Sequence, residues 1–336
     1  MTADLLPQLA AQAAAAAHPD GAPCDCAAIV TLADRPDATV VGHAGIVAKA
    51  HAADTDPAEL ALRLATAARL PDILLPPVGT APALLNDRLV TFWPCGTRVD
   101  PDDPDAAPWE ATARLLARLH RTHAAPGPVA TTLLPGPVAE GDSRPAAPPP
   151  MRGPVKAARA IARLRAALFA APSPHPAAPP VLRAWGTLPA WARAEAPMPD
   201  TATLCHGDLH LGQLVRAPAP DGPWKLIDVD DLGVGVAAWD LARPAAWYAC
   251  GLLPPDAWAR FLTAYRAAGG PAVPADGDPW PALDVPARAL TAQTAALAVT
   301  KALAADRPLD EVEQCLVDAC DRMGSLPLEL ADGIPK

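Results

Sequence analysis

One stretch, from Leu204 to Arg243, restricts what this chain can become more than any other: LCHGDLHLGQLV (204–215), KLIDVDD (225–231) and AAWDLAR (237–243). Asp208 and Asp228 each end an apolar, strand-like run, and Gln213 sets an amide five residues beyond the first of them. The spacing predicts a β-hairpin-like pair, Leu214–Arg216 with Trp224–Ile227, following the loop that carries Asp208. Gly207 permits the unusual backbone of a tight loop, and His206 is expected to brace it by hydrogen bonding to backbone. This layout can hold a metal–nucleotide and activate a hydroxyl. One carboxylate orients the attacking oxygen and accepts its proton, while the other carboxylate and an amide oxygen suit a hard cation.

These motifs resemble the catalytic half of the aminoglycoside phosphotransferase family, small-molecule kinases with a protein-kinase-like fold. The resemblance implies Asp208, in HGD (206–208), as the catalytic base. It implies Asp228 as the strand-borne metal ligand that bridges Mg2+ to the nucleotide phosphates. The family carries Asn in the pattern HGDLHxxN, where this chain has Gln213. Gln offers the same amide oxygen one methylene farther out, so Gln213 is kept as a metal ligand. HLGQ (210–213) is also similar to the loop of maltokinase and related actinobacterial sugar kinases. Asp230 is taken as a further metal ligand, with Asp231 its rival. His210 either touches the acceptor or braces the loop, and Asp240 caps or pins a helix against that loop.

The chain holds five Lys, at 49, 156, 225, 301 and 336, and this scarcity draws attention to Lys49 at the end of GIVAK (45–49). Kinases set a strand Lys against the α- and β-phosphates and hold it with a helix Glu. Glu59, in the first turn of the next helix, is in reach, with Asp54 the rival partner. The turn expected to cover the phosphates, Ala33–Ala38, lacks glycine. Trp93-Pro-Cys-Gly96 reads as an interlobe hinge, with Trp93 and Cys95 meeting the nucleotide base through backbone.

Helices are expected at 7–18, from Pro57 with Asp56 as cap, at 108–123, 156–169 and 180–196, and through most of 238–323. Strands are expected at 29–32, 39–41, 45–50, 73–75 and 88–93, and the Pro- and Gly-rich residues 124–150 read as a loop. Together these give an α+β, bilobal protein-kinase-like fold. A small β-rich nucleotide-binding lobe spans 1–96, and a larger, mainly helical catalytic and substrate-binding lobe spans 97–336. The chain is expected to run from IDVDD straight into helix with no activation segment, which argues against a protein substrate. The expected acceptor is a small hydroxylated molecule: an antibiotic or other natural product, a sugar or aminosugar, or a metabolite. The expected cofactors are ATP, or GTP, and Mg2+. A metabolic sugar kinase and a non-catalytic nucleotide-binding homologue are the alternatives.

The net charge of −10 argues against nucleic acid as a partner. The apolar N-terminal stretch carries Asp4 and no basic segment, so it reads as a helix and not a signal peptide. Residues 289–305 are interrupted by Thr, Gln and Lys301, so no membrane span is expected. The seven Cys show no metal-ligand spacing, Cys24-x-Cys26 included, and read as reduced thiols of a cytoplasmic protein, monomer or homodimer. His120 and His123 read as a polar helix end.

Overall fold

The computed structural model describes residues 5–20, 26, 29–35, 37–122, 148–199 and 202–324. Of the loop expected at 124–150, only 148–150 lie among them, and His123 and Cys24 do not. The chain divides into two compact units.

The first unit takes residues up to Pro108 together with Leu211–Asp230. It contains α1 (Leu5–Ala17), β1 (Val30–Arg35), β2 (Ala38–His43), β3 (Ile46–Ala50), α2 (Pro57–Arg69), β4 (Ala83–Leu85), β5 (Arg88–Pro94) and β6 (Thr97–Arg98). The first five strands form an antiparallel sheet in the order β1-β2-β3-β5-β4. Strand alternation sorts the side chains of β3. Ala48 and Ala50 turn into a core that also holds Leu5, Leu9 and Ala13 of α1, with Val41 and Val90. Lys49 therefore lies on the opposite face, in register with Thr91 of β5. Helix α2 starts where its sequence dictates. Asp56 Oδ1 accepts from the backbone N–H of Ala58 at 2.8 Å and of Glu59 at 3.0 Å, and Pro57 fills the first turn.

After β7 (Thr203–Cys205), which belongs to the second unit, β8 (Leu214–Arg216) and β9 (Trp224–Leu226) return to the first. They form a three-stranded sheet with β6, in the order β6-β8-β9. The strand expected at 73–75 is reduced to a single bridge from Leu74 to Leu226. A Cβ on Gly96 would lie 2.7 Å from Val215 Cβ, so glycine lets the β5–β6 link pass β8.

The second unit takes residues 109–122, 150–210 and 231–324 among those described. Its helices are α3 (Trp109–His120), α4 (Gly153–Ala170), α5 (Ala178–Gly186), α6 (Ala242–Ala249), α7 (Pro255–Ala267), α8 (Trp280–Ala304) and α9 (Glu311–Gly324). Helix α8 lies against α4, α5, α6 and α9 and buries Leu283, Leu290 and Val299. Helix α5 ends at Gly186, short of the expected Ala196, because Pro189 cannot continue it. The chain does not pass from Asp231 straight into helix. It first adds β10 (Gly233–Gly235), which pairs antiparallel with β7. No described helix is long and apolar enough to cross a membrane.

Gly153 opens α4 beneath Trp239. A Cβ there would stand 2.2 Å from the indole Nε1, and the contacting atoms belong to a rigid, 3% exposed ring. Gly153→Ala should therefore overpack this corner and cost about 1–3 kcal/mol, read as a lower urea midpoint with an unchanged m-value.

Candidate active site

The first unit gathers a cation and its carboxylates. Lys49 Nζ lies 2.7 Å from Asp228 Oδ1 and 2.8 Å from Asp230 Oδ2. Burial alone would push this ammonium down, but the two carboxylates reverse the effect and hold it above the ordinary lysine range. Asp228 adopts a left-handed backbone, φ +65°, a conformation that Asp tolerates better than most residues and that turns the chain sharply after Ile227. Gln213 reaches the same carboxylate, its Nε2 donating to Asp228 Oδ2 at 3.2 Å, and Ile227 N–H donates to the Gln213 carbonyl at 2.9 Å. Two carboxylates and an amide thus stand around one lysine. That oxygen-rich donor set fits Mg2+. With the metal bound, the Gln213 amide would present its oxygen, an orientation that the hydrogen-bond partners decide.

A buried relay supports this cluster. The Trp93 indole donates to Thr91 Oγ1 at 2.9 Å, and Thr91 lies 2.8 Å from His51 Nε2. His51 Nδ1 stands 3.0 Å from Asp230 Oδ1. Thr91 accepts from the indole and can donate to Nε2, which leaves a proton on Nδ1 for Asp230. Burial would raise Asp230, but Lys49 and then His51 hold it well below the ordinary carboxylate range. His51 follows Lys49 by two positions and so shares its strand face.

One expectation needs correcting. Glu59 does not hold Lys49. It pairs with Arg63 one turn along α2, at 2.9 Å, while Asp228 and Asp230 take the lysine. The Cys95 backbone N–H donates to the Gly45 carbonyl at 2.7 Å. Trp93 is buried, with its indole N–H in the relay just described.

The second unit holds Asp208. Its Oδ2 lies 2.5 Å from Lys156 Nζ, and its Oδ1 accepts from the Arg243 guanidinium at 3.0 Å. Arg243 also donates to the Leu209 carbonyl at 3.1 Å, which fixes its angle. Burial pushes the Asp208 carboxyl up, yet Lys156 and Arg243 outweigh it and hold the group below the ordinary range. Lys156 in turn reaches Asp231 Oδ2 at 2.9 Å. Asp230 and Asp231, rivals for one role in the sequence, therefore serve different lysines. His210 is pushed down to about 4, chiefly by burial, so it is neutral near pH 7.

The loop carrying Asp208 hangs on Asp240. That carboxylate, 1% exposed, accepts from the backbone N–H of His206 at 2.6 Å and of Gly207 at 2.7 Å. Its third partner is His120 Nε2 at 2.9 Å, and His120 Nδ1 meets the Tyr265 hydroxyl at 2.7 Å. Asp240 thus pins the loop, and His120 is a buried brace instead of a polar helix end. Gly207, φ +87°, has no room for a side chain, since a Cβ would lie 2.4 Å from the Asp231 carbonyl.

The sequence reading passed over Lys156, Arg243 and His51. The scarcity of Lys that marks Lys49 marks Lys156 equally, so that signal was available.

A strand lysine clasped by carboxylates, on a sheet-rich unit, and a pinned HGD aspartate, on a helical one, define a small-molecule phosphotransferase with the kinase-like fold. The sequence profile of the phosphotransferase enzyme family matches residues 43–284, and the chain belongs to that family. Among solved structures, it is similar to a thermostable mutant of aminoglycoside phosphotransferase APH(4)-Ia in ternary complex with ADP and hygromycin B. Identity is 12%, over 90% of this chain and 96% of that one, with a TM-score of 0.55. Spectinomycin phosphotransferase APH(9)-Ia, in complex with ADP and spectinomycin, gives 13% identity over 92% and 93% of the two chains, with a TM-score of 0.52. A macrolide 2′-phosphotransferase from Brachybacterium faecium gives 18% identity over 96% and 99%, with a TM-score of 0.46. At these identities the two likenesses with TM-scores above 0.5 show the fold alone. No curated protein matches the chain in sequence.

Proposed function

We propose that this enzyme transfers the γ-phosphoryl group of ATP to a hydroxyl of a small molecule. The observation that carries the proposal is the pairing of Asp228 and Asp230 with Lys49, with the Gln213 amide on Asp228. When bound, magnesium–ATP supplies the phosphoryl group and the positive charge that offsets its oxygens. Lys49 holds the nucleotide phosphates, and Asp228, Gln213 and Asp230 hold the metal. Asp208 accepts a hydrogen bond from the acceptor hydroxyl, orients it and takes its proton. A carboxylate held below its ordinary range is a weak base. A loose transition state asks mainly for orientation, with the proton leaving late. Nucleotide handling belongs to the unit that joins the residues up to Pro108 with Leu211–Asp230, and acceptor activation to the unit that carries Asp208. Buried free thiols at Cys205, Cys250 and Cys320 support a cytoplasmic setting.

The test is turnover of Mg-ATP against sugars, uronates, macrolides, nucleoside antibiotics and aminoglycosides, with products identified by mass spectrometry. A phosphorylated acceptor hydroxyl supports the reading, and a chain that neither binds Mg-ATP nor forms any product overturns it. Asp228→Asn should weaken Mg-ATP binding, measured by calorimetry, by more than the roughly 10–100-fold that outer-shell partners of a metal cost. Unchanged affinity would remove Asp228 from the metal site.

A further inference from the structure

A second cluster of ligand atoms lies in the first unit, among residues that phosphoryl transfer does not use. His18 follows α1, Cys26 lies between α1 and β1, and His43 ends β2. One ligand atom from each lies within 4.8 Å of the other two. Cys26 Sγ stands 3.5 Å from His18 Nε2. The His18 and His43 rings meet edge to face with centroids 5.5 Å apart.

The Cys26 Sγ to His18 Nε2 separation is that of two ligands around one small ion. Zinc–sulfur and zinc–nitrogen bonds of about 2.3 and 2.0–2.1 Å, opened to the tetrahedral angle, set sulfur and nitrogen about 3.5 Å apart. The donor set also selects the metal. Two imidazoles and a thiolate favour zinc, whereas magnesium takes oxygen. The other such cluster among the described residues is His120 with Cys205 and Asp240. There the His120 nitrogens and the Asp240 oxygens already hold Tyr265 and the HGD loop.

We propose that His18, Cys26 and His43 form a zinc site, with the fourth position left to solvent. Binding converts the Cys26 thiol to a thiolate and releases its proton to solvent. The ion would tie the end of α1 and Cys26 to the end of β2. Helix α1 covers Ala48 and Ala50, the residues flanking Lys49. Zinc would thus steady the sheet from the face opposite its chemistry. No pairwise spacing in the sequence announces the site, because the ligands meet only once α1 lies on the sheet.

The experiment uses the full chain, purified without chelator or polyhistidine tag. Zinc content is measured by elemental mass spectrometry, and cobalt(II) is then titrated into the metal-stripped protein. The expected result is about one bound zinc per chain, with a thiolate-to-cobalt charge-transfer band and the visible bands of a tetrahedral site. Cys26→Ser should abolish the charge-transfer band, and His43→Ala should weaken cobalt binding by more than about tenfold. Asp228→Asn should leave the cobalt spectrum unchanged, which separates this site from the magnesium site. Absence of both zinc and the cobalt band in the wild type would overturn the proposal. So would a charge-transfer band that survives Cys26→Ser. Cys26 is exposed, so its replacement should leave the fold intact, and circular dichroism of each variant checks this.

Discussion

Asp208→Asn should lower kcat by roughly two to four orders of magnitude while Mg-ATP affinity stays close to wild type. The substitution keeps the shape of the side chain and removes the charge that faces Lys156 and Arg243. Steady-state kinetics beside calorimetric nucleotide binding distinguishes loss of the acceptor-side carboxylate from loss of the nucleotide site. A variant that retains wild-type kcat would remove Asp208 from the chemistry. A pH profile adds a second reading. Asp208 is held below the ordinary carboxylate range, so wild-type activity should persist as pH falls through that range. Lys156→Met removes its strongest cationic partner, so the carboxyl should bind its proton more readily. The acid limb of kcat/KM should then move to higher pH.

The largest loss of stability is expected from Asp240→Ala. It strips the acceptor from two buried backbone N–H groups and from His120, and it empties the space between them. Breaking a buried charged network of this kind costs about 3–5 kcal/mol, measured as ΔG of unfolding in urea near pH 7. The pH dependence has a definite sign. Burial raises the Asp240 carboxyl, but His120 and the loop N–H groups outweigh it and leave it lowered. A lowered carboxyl stabilises fully above its unfolded value of about 3.9 and loses that contribution as pH falls through the folded value. The gap between wild type and Asp240→Ala should therefore be widest near neutrality and narrow in acid. A gap that widens as pH falls would contradict this account.

Much of the fold was legible where local chemistry decides structure. Asp56-Pro57 starts α2 through a cap that needs no tertiary partner, and the apolar runs of β2, β3 and β5 alternate as half-buried strands must. HGD and IDVDD could be read because neighbours along the chain build them. Arg243 and His51 were illegible as site residues because distant parts of the chain bring them to their partners, and Lys156 was marked only by the scarcity of Lys. Lys156 is 52 residues from Asp208, and His51 reaches Asp230 only through strand pairing and the turn after β9. Glu59 misled for a related reason. Sequence separation allowed a pair with Lys49, but the direction of its side chain on α2 favours Arg63. Helix α5 fell short because Pro189 acts one turn after the apolar pattern still looks helical.

Asp230 and Asp231, adjacent in the chain, answer to different lysines: the first to Lys49 and the second to Lys156. Each carboxylate is counted off from Asp228, which is itself on Lys49. Loss or gain of a single residue within 228–231 would move a carboxylate off its lysine and leave a half-buried ammonium short of a counter-charge. The length of this segment is therefore fixed by its ion pairs, and Val229, 1% exposed, is held by packing as well. Insertions and deletions should be recovered from random libraries in the turn at 217–223 and excluded from the four positions that follow Ile227.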